Sequence, residues 1–127
     1  MAVSLQHLLV FVADADRVAA FYARALGLTA APSAVTGLVH LHAAGQAVLA
    51  LHPVPAEVIG EIAVPPVRRE DAALKPCFQV DDLDASRAAV VVAGGLAAEA
   101  WAWNGRRFCD CADVEGNVFQ IVAAAPT

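Results

Sequence analysis

The sequence lacks the long apolar runs and the excess of basic charge that would assign it to membranes or to nucleic acids. Its 127 residues carry 8 basic and 13 acidic side chains, so the formal net charge is −5. Nucleic-acid binding normally needs a basic stripe that displaces counterions, and a membrane-spanning helix needs roughly 20 apolar residues. No basic residue precedes the first apolar segment, as it would in a signal peptide. We therefore predict a cytoplasmic protein that binds neither nucleic acid nor membrane.

Cysteines and aromatic residues are also scarce. The cysteines Cys77, Cys109 and Cys111 are odd in number, and their spacing fits neither a disulfide framework nor the usual zinc pattern. We expect them to be small, buried side chains. The sequence has no glycine-rich phosphate loop and no nucleophile beside a recognisable base. It therefore identifies no catalytic residue.

An internal repeat is the most informative feature that is present. When residues 75–98 are laid over residues 7–30, a Val-x-Asp-x-Asp start and a Gly-Leu end coincide. The matching pairs are Val12 with Val80, Asp14 with Asp82, Asp16 with Asp84, Gly27 with Gly95, and Leu28 with Leu96. Because glycine and aspartate have specific roles at helix ends, these matches indicate two copies of one structural unit.

Each copy predicts the same order of elements. A buried strand is followed by a helix that Asp14 or Asp82 can cap and that a glycine can end. Two strand-like runs joined by a tight turn come next in each copy. This order predicts a single α+β domain, residues 1–127, made of two βαβββ repeats that form a curved mixed sheet. The first repeat spans about 3–53, a linker about 54–74, and the second repeat about 75–124.

Three segments together resemble the vicinal-oxygen-chelate superfamily, which includes glyoxalase I, extradiol dioxygenases, and the fosfomycin- and bleomycin-resistance proteins. They are residues 7–28, residues 78–82 with the following Gly94-Gly95, and residues 113–120. The resemblance implies that the two units make a cup around a ligand. It also implies that metal-dependent members place four ligand positions on the inner face of the cup.

By motif, those four positions fall on His7, Ala50, Lys75 and Gln120. Alanine has no donor atom, and the charge of a lysine opposes a divalent ion. We therefore expect no metal ion and no other cofactor. A metal held by His7, His52 and Gln120 is the alternative, since His52 lies two residues after Ala50 and can point into the cup.

Other polar residues near the presumed cup are expected to face away from it or into solvent. A four-residue turn at 43–46 would direct His40 and His42 to the opposite side of the sheet. Asp110 and Glu115 are the nearest acids, and Glu115 is expected to be solvated because it lies in a turn.

Strand alternation predicts the side chains that line the cup. Gln79 and Gln120 interrupt apolar strands, so each amide either bonds to water or contacts a ligand. Trp101 and Trp103 point the same way from a strand, which suits either stacking on a ligand or a dimer interface. The predicted ligand-binding residues are His7, Phe11, His52, Gln79, Trp101, Trp103 and Gln120.

The resemblance and the missing metal donors predict a function. We expect a metal-independent protein that sequesters a small molecule, either a cationic or an aromatic compound, as the bleomycin-resistance type does. One alternative is a metal-dependent lyase, isomerase or dioxygenase with an atypical metal site. Another is a structural or regulatory dimer whose cup is filled by side chains. Family members commonly pair their units between two chains, which implies a homodimer with two cups.

Overall fold

Two similar series of strands and helices follow one another in the computed structural model, which describes residues 2–35 and 37–125. The first series is β1 (Leu8–Val12), α1 (Ala15–Leu26), β2 (Thr29–Pro32), β3 (Val39–Ala43) and β4 (Gln46–Pro53). A short helix, α2 (Ala56–Ile59), lies between the two series. The second series is β5 (Cys77–Gln79), α3 (Leu83–Val92), β6 (Leu96–Ala97), β7 (Trp101–Trp103), β8 (Arg106–Ala112) and β9 (Val118–Ala124). The predicted α+β fold class is confirmed.

The two series have the same sheet topology. The first unit forms a sheet in the order β1-β4-β3-β2, and the second forms a sheet in the order β5-β9-β8-β6, with β7 also paired to β8. In each unit the first strand runs parallel to the last, and the other pairs are antiparallel. The mixed sheet therefore consists of two separately hydrogen-bonded halves, with β1 and β5 each at an edge.

The helices begin and end where their sequences predict. The Asp14 carboxylate accepts a hydrogen bond from the Arg17 N–H at 3.0 Å, and that of Asp82 accepts one from the Ala85 N–H at 3.0 Å. Gly27 ends α1 with φ of 69°, a left-handed conformation that favours glycine. Within the described ranges, no helix is long and apolar enough to cross a membrane.

The two units share one hydrophobic core. Phe21 and Tyr22 of α1 contact Phe119 of β9 with ring centroids 6.0 and 5.5 Å apart, both edge to face. Tyr22 also lies 6.4 Å from Phe78 of β5. Since these rings come from both units and are largely buried, neither sheet has a core of its own.

Glu115 joins the second unit to the first. Its carboxylate accepts hydrogen bonds from the N–H groups of Ala13 at 2.7 Å and Asp14 at 2.8 Å, at the start of α1. The expectation that Glu115 is solvated is wrong, since only 4% of it is exposed. The reason is that free N–H groups and the positive end of the helix dipole attract a carboxylate to a helix N-terminus.

Candidate functional site

In each sheet one face packs against the helices, and the opposite face does not. Leu41, Leu49 and Leu51 point to the helices in the first sheet, and Cys109 and Ile121 do so in the second. The burial of Cys109 and Cys111 confirms the expectation for these two, whereas Cys77 is exposed. We call the uncovered faces of the two sheets the first and the second open face.

The second open face carries an aromatic row across its strands. Cross-strand pairing places Trp101 of β7 opposite Phe108 of β8, and Phe108 opposite Val122 of β9. Val122 in turn lies opposite Gln79 of β5. The Trp101 and Phe108 rings are stacked, with centroids 4.4 Å apart and planes 16° apart. Because paired residues point to the same side of a sheet, this row places the stacked Trp101 and Phe108 rings, a buried valine and an exposed amide on one face.

Trp103 extends the aromatic surface by one more row. Trp103 lies opposite Arg106. Because it is two residues after Trp101 on the same strand, its side chain shares the second open face with Trp101. Two-thirds of Trp103, 67%, is exposed, and 44% of Trp101. Both indole rings are therefore partly accessible from solvent.

A cluster of hydrogen-bonded polar side chains lies next to the aromatic row, on the side away from Trp103. The Lys75 ammonium is 2.9 Å from Oδ1 of Asp110, and Nε2 of Gln120 donates to the same oxygen at 3.1 Å. The Cys77 thiol donates to Oε1 of Gln120 at 3.3 Å. Burial acts to raise the pKa of Asp110, but the bonds from Lys75 and Gln120 outweigh it, so this pKa is lowered. Asp110 is therefore a carboxylate at neutral pH.

Two further cations act on this polar cluster. The positive charge of Arg68 also lowers the pKa of Asp110. Burial raises the pKa of the Cys77 thiol, and the charges of Arg106 and Lys75 oppose that effect. Strand pairing places Arg106 and Cys77 on the same face of the sheet. Sequence reasoning did not foresee this cluster, because only strand pairing brings Arg106 and Cys77 onto one face.

The first open face carries three neighbouring histidines. The rings of His7 and His40 lie 5.3 Å apart, and those of His40 and His42 lie 6.3 Å apart. His52 lies farther along β4, where its ring meets the edge of Phe11 at 5.6 Å. Within the described part of the chain, the buried Nδ1 of His52 has no hydrogen-bond partner. This face is thus both aromatic and polar.

The expected direction of His40 and His42, away from the cup, is wrong. Their strand pairs so that His40 lies opposite Ala50, with a register shift between Leu41 and His42. The turn contains two residues rather than four, because Ala44 and Gly45 adopt left-handed φ values of 51° and 80°. This turn still pairs His42 with Ala47, as a four-residue turn would, but the β-bulge between Leu41 and His42 moves the pairing by one residue, so His40 shares a face with Ala50.

A cavity of about 310 Å³ lies beside the edge strand β1. It is mainly apolar and is lined by residues from both units, including Leu9, Phe11, Tyr22, Leu74 and Val118. Leu9 and Phe11 belong to the first open face, and Val118 begins the strand that carries Gln120. A volume of this size lies at the lower end of the range for small-molecule sites.

The predicted ligand-binding residues therefore fall into two groups. His7, Phe11 and His52 lie on the first open face, and Gln79, Trp101, Trp103 and Gln120 lie on the second. The residues that the sequence did not single out are Phe108, which stacks on Trp101, and Arg106. Alternation along β8 could have placed Phe108, Arg106 and Asp110 together, but the register needed to align them with Trp101 depends on turn lengths.

The four positions that the superfamily resemblance assigns to a metal do not fit one. Ala50 has no donor, and the Lys75 ammonium is paired with Asp110. The amide oxygen of Gln120 accepts from the Cys77 thiol. Among the residues that the structure describes, no three His, Cys, Asp or Glu side chains are arranged to hold a metal ion. We therefore derive no chemistry from a metal.

Comparison with known proteins gives one family and a set of similar folds. A family model described as "Glyoxalase-like domain" matches residues 7–122. No curated protein matches the chain significantly. Among solved structures, a hypothetical protein from S. aureus superposes with a TM-score of 0.72 at 19% identity, over 98% of this chain and 95% of that chain.

Two further similar structures carry functional names. The fosfomycin resistance protein FosX from Listeria monocytogenes superposes with a TM-score of 0.73 at 16% identity, over 98% of this chain and 96% of that one. A glyoxalase/bleomycin resistance protein/dioxygenase family enzyme from Burkholderia phytofirmans PsJN has a TM-score of 0.68 at 16% identity, over 94% and 97%. One FosX structure is a complex with Mn(II) and 1S,2S-dihydroxypropylphosphonic acid. At these identities, the likeness concerns the fold alone.

Proposed function

The chain belongs to the glyoxalase-like domain family, and from this membership and its second open face we propose that it binds a planar aromatic small molecule without a metal ion. Its role would be to sequester that molecule. The observation that carries the proposal is the stacked pair of Trp101 and Phe108, continued by the exposed ring of Trp103. A flat ligand stacked there would gain about 0.5–1.5 kcal/mol per ring pair beyond the burial of apolar area.

The amides next to the aromatic row give such a ligand an orientation. Gln79 is exposed at the end of the row. Gln120 lies in the next row, where its Nε2 and Oε1 are bonded to Asp110 and Cys77. Gln79 can therefore donate to or accept from a ligand freely, whereas Gln120 must give up a hydrogen bond to Asp110 or Cys77 before it can bond to a ligand.

Binding is favoured over catalysis by the titratable groups of this face. The Cys77 thiol has a raised pKa, so at neutral pH little of it is the reactive thiolate. Asp110 has a lowered pKa and is paired with Lys75, so it stays ionised. General acid–base catalysis works best with a group whose pKa lies near the operating pH, and neither of these groups meets that condition.

The proposal is tested by titrating the protein with a panel of planar aromatic compounds while following its tryptophan fluorescence. The chain contains only two tryptophans, so a saturable change reports on this surface. Trp103→Ala should weaken binding about threefold to tenfold through the lost stacking. Gln79→Ala should also weaken it, and Val92→Ala, which changes an exposed apolar residue on α3, should not.

A different outcome would assign the tryptophans to another role. If Trp103→Ala leaves binding unchanged but separates a dimer into monomers, Trp103 belongs to a subunit interface. The proposed binding surface would then be wrong.

A metal-dependent enzyme is the second candidate, and the pair of His7 and His40 favours it. Their ring centroids are 5.3 Å apart, and imidazole suits zinc, copper, nickel and iron. In such a site, His40 would supply a donor that Ala50 and Lys75 cannot. Elemental analysis, described below, separates the two candidates.

A further inference from the structure

The charge of the second open face has the opposite sign to that of the chain. The chain carries a formal net charge of −5. On this face, strand pairing places Arg106 opposite Trp103, and the Lys75 ammonium lies 2.9 Å from the Asp110 carboxylate. Local groups rather than net charge set the potential that a bound ligand meets. The surface beside the aromatic row is therefore cationic.

Arg106 is the cation best placed to meet a ligand. It lies directly opposite Trp103, so its guanidinium and the exposed indole are on the same face. Within residues 2–35 and 37–125, the Arg106 side chain makes neither a hydrogen bond nor an ion pair. The adjacent Arg107 points to the opposite face, where its two terminal nitrogens bind the Asp84 carboxylate at 3.1 Å.

Lys75 and Asp110 set a limit on the ligand's charge. The single carboxylate of the cluster is already shared by the Lys75 ammonium and the Gln120 amide. Lys75 and Gln120 both bind Oδ1 of Asp110, so a cationic ligand at Oδ2 would meet a carboxylate that Lys75 already neutralises, and it would approach Arg106 at a cost. An anionic ligand displaces no existing bond and can accept hydrogen bonds from the Arg106 guanidinium.

We infer that the ligand of the second open face is a planar aromatic anion, whose ring stacks on Trp101 and Trp103 and whose carboxylate or similar oxyanion is bound by Arg106. The planar fork of a guanidinium matches a carboxylate with two parallel hydrogen bonds. This inference rests on the proposed binding function and adds the sign of the ligand's charge. It replaces the cationic compound that the acidic composition suggested.

The experiment compares three probes that share a ring system and differ in charge. Naphthoate is the anion, naphthamide the neutral analogue and naphthylmethylammonium the cation, and isothermal titration calorimetry measures the affinity of each. Naphthoate should bind at least about tenfold more tightly than naphthamide, because hydrogen bonds to charged groups contribute about that much. The cation should bind most weakly of the three.

Two matched variants identify the residue responsible. Arg106→Gln should remove the preference for naphthoate while leaving the affinity for naphthamide unchanged. Arg107→Gln removes the same charge from the other side of the same strand and should leave the preference intact. Circular dichroism of both variants checks that the fold is retained.

The possible failures are distinguishable. Equal affinities for the three probes, or tighter binding of the cation, would overturn the inference; if these affinities still fall in Trp103→Ala, the proposed aromatic binding stands. Binding of naphthoate that Arg106→Gln does not change would also overturn it. If none of the probes binds, or if binding does not depend on Trp103, both the inference and the proposed function are wrong.

Discussion

At the scale of single residues, Tyr22 and Asp113 form a buried pair between the two units. The Tyr22 hydroxyl donates to Oδ2 of Asp113 at 2.9 Å. Oδ1 of Asp113 accepts from the backbone N–H groups of Glu115 and Asn117. Burial and the adjacent carboxylate raise the pKa of Tyr22 well above its ordinary value. Burial also raises the pKa of Asp113, although its hydrogen bonds act in the opposite direction.

We predict that Tyr22 makes the protein less stable above about pH 10. The unfolded chain releases the phenol proton near its ordinary pKa of about 10, whereas the folded chain keeps it. Stability from this group is therefore complete below pH 10 and is lost as the pH rises towards the folded pKa, by up to about 1.4 kcal/mol per pH unit.

The measurement is the free energy of unfolding by urea between pH 9 and pH 11, for the native sequence and for Tyr22→Phe. The variant should be less stable at neutral pH by about 1–3 kcal/mol, because Asp113 loses a buried partner. Its alkaline slope should be smaller. Tyr22 is the only tyrosine, so tyrosinate absorbance reports it directly. Ionisation at pH 10 in the folded protein would contradict the prediction.

The metal content tests the donor chemistry of both open faces. We predict that protein purified without chelator and without a histidine tag contains far less than one divalent ion per chain. The positions of Ala50 and Lys75 supply no neutral donor, and the Gln120 oxygen is bonded to Cys77. Elemental analysis of the native sequence, His7→Ala and His40→Ala is the measurement. Stoichiometric metal that either substitution removes would establish the metal-dependent candidate instead.

At the scale of secondary-structure elements, α3 depends on its cap more than α1 does. Residues 90–92 are three consecutive valines, and β-branched residues lower helix propensity. Asp82 supplies the first bond of this helix, to the Ala85 N–H at 3.0 Å. The helix also packs against α1, so its start positions part of the shared core.

We predict that Asp82→Ala lowers the free energy of unfolding by about 1 kcal/mol, the usual cost of losing a helix N-cap. Asp81→Ala is the matched control, because Asp81 is adjacent, exposed and outside the helix. It should change stability by no more than about 0.5 kcal/mol. Urea denaturation measures both, and equal effects would show that Asp82 acts only through its charge.

Local features of the elements could be predicted from the sequence, whereas features that depend on distant residues could not. Asp14, Asp82 and Gly27 were predictable because a helix cap acts on residues within one turn of it. The direction of His40 was not, since it depends on a β-bulge between Leu41 and His42 that no residue pattern marks. Glu115 was not predictable either, because its partner Asp14 is 101 residues away in the chain. The cationic face around Arg106 likewise depends on strand register.

At the scale of the whole molecule, apolar side chains remain exposed on both open faces. Of these residues, 45% of Leu9, 55% of Phe11 and 67% of Trp103 are exposed. β1, which carries the first two, is also the edge strand of its sheet. A second copy of the chain that covers one of these faces would remove this surface from water, which is favourable at about 25 cal/mol per Å².

We predict a homodimer at micromolar concentration, and light scattering coupled to gel filtration measures its mass. Phe11→Lys should shift the mass towards the monomer if the first open face forms the interface. Val92→Lys, on the outside of α3, should leave it unchanged. A monomer mass for the native sequence would reject the dimer.

The contact made by Glu115 has a consequence for how the two halves recognise each other. The turn that carries Glu115 has its counterpart in the first unit at Ala44 and Gly45, which is shorter and has no acid. Two copies of the first half would therefore leave the Ala13 and Asp14 amides without their acceptor. The halves share one topology but are not interchangeable, and each first half requires a second half, from its own chain or another, to supply the acceptor for these amides.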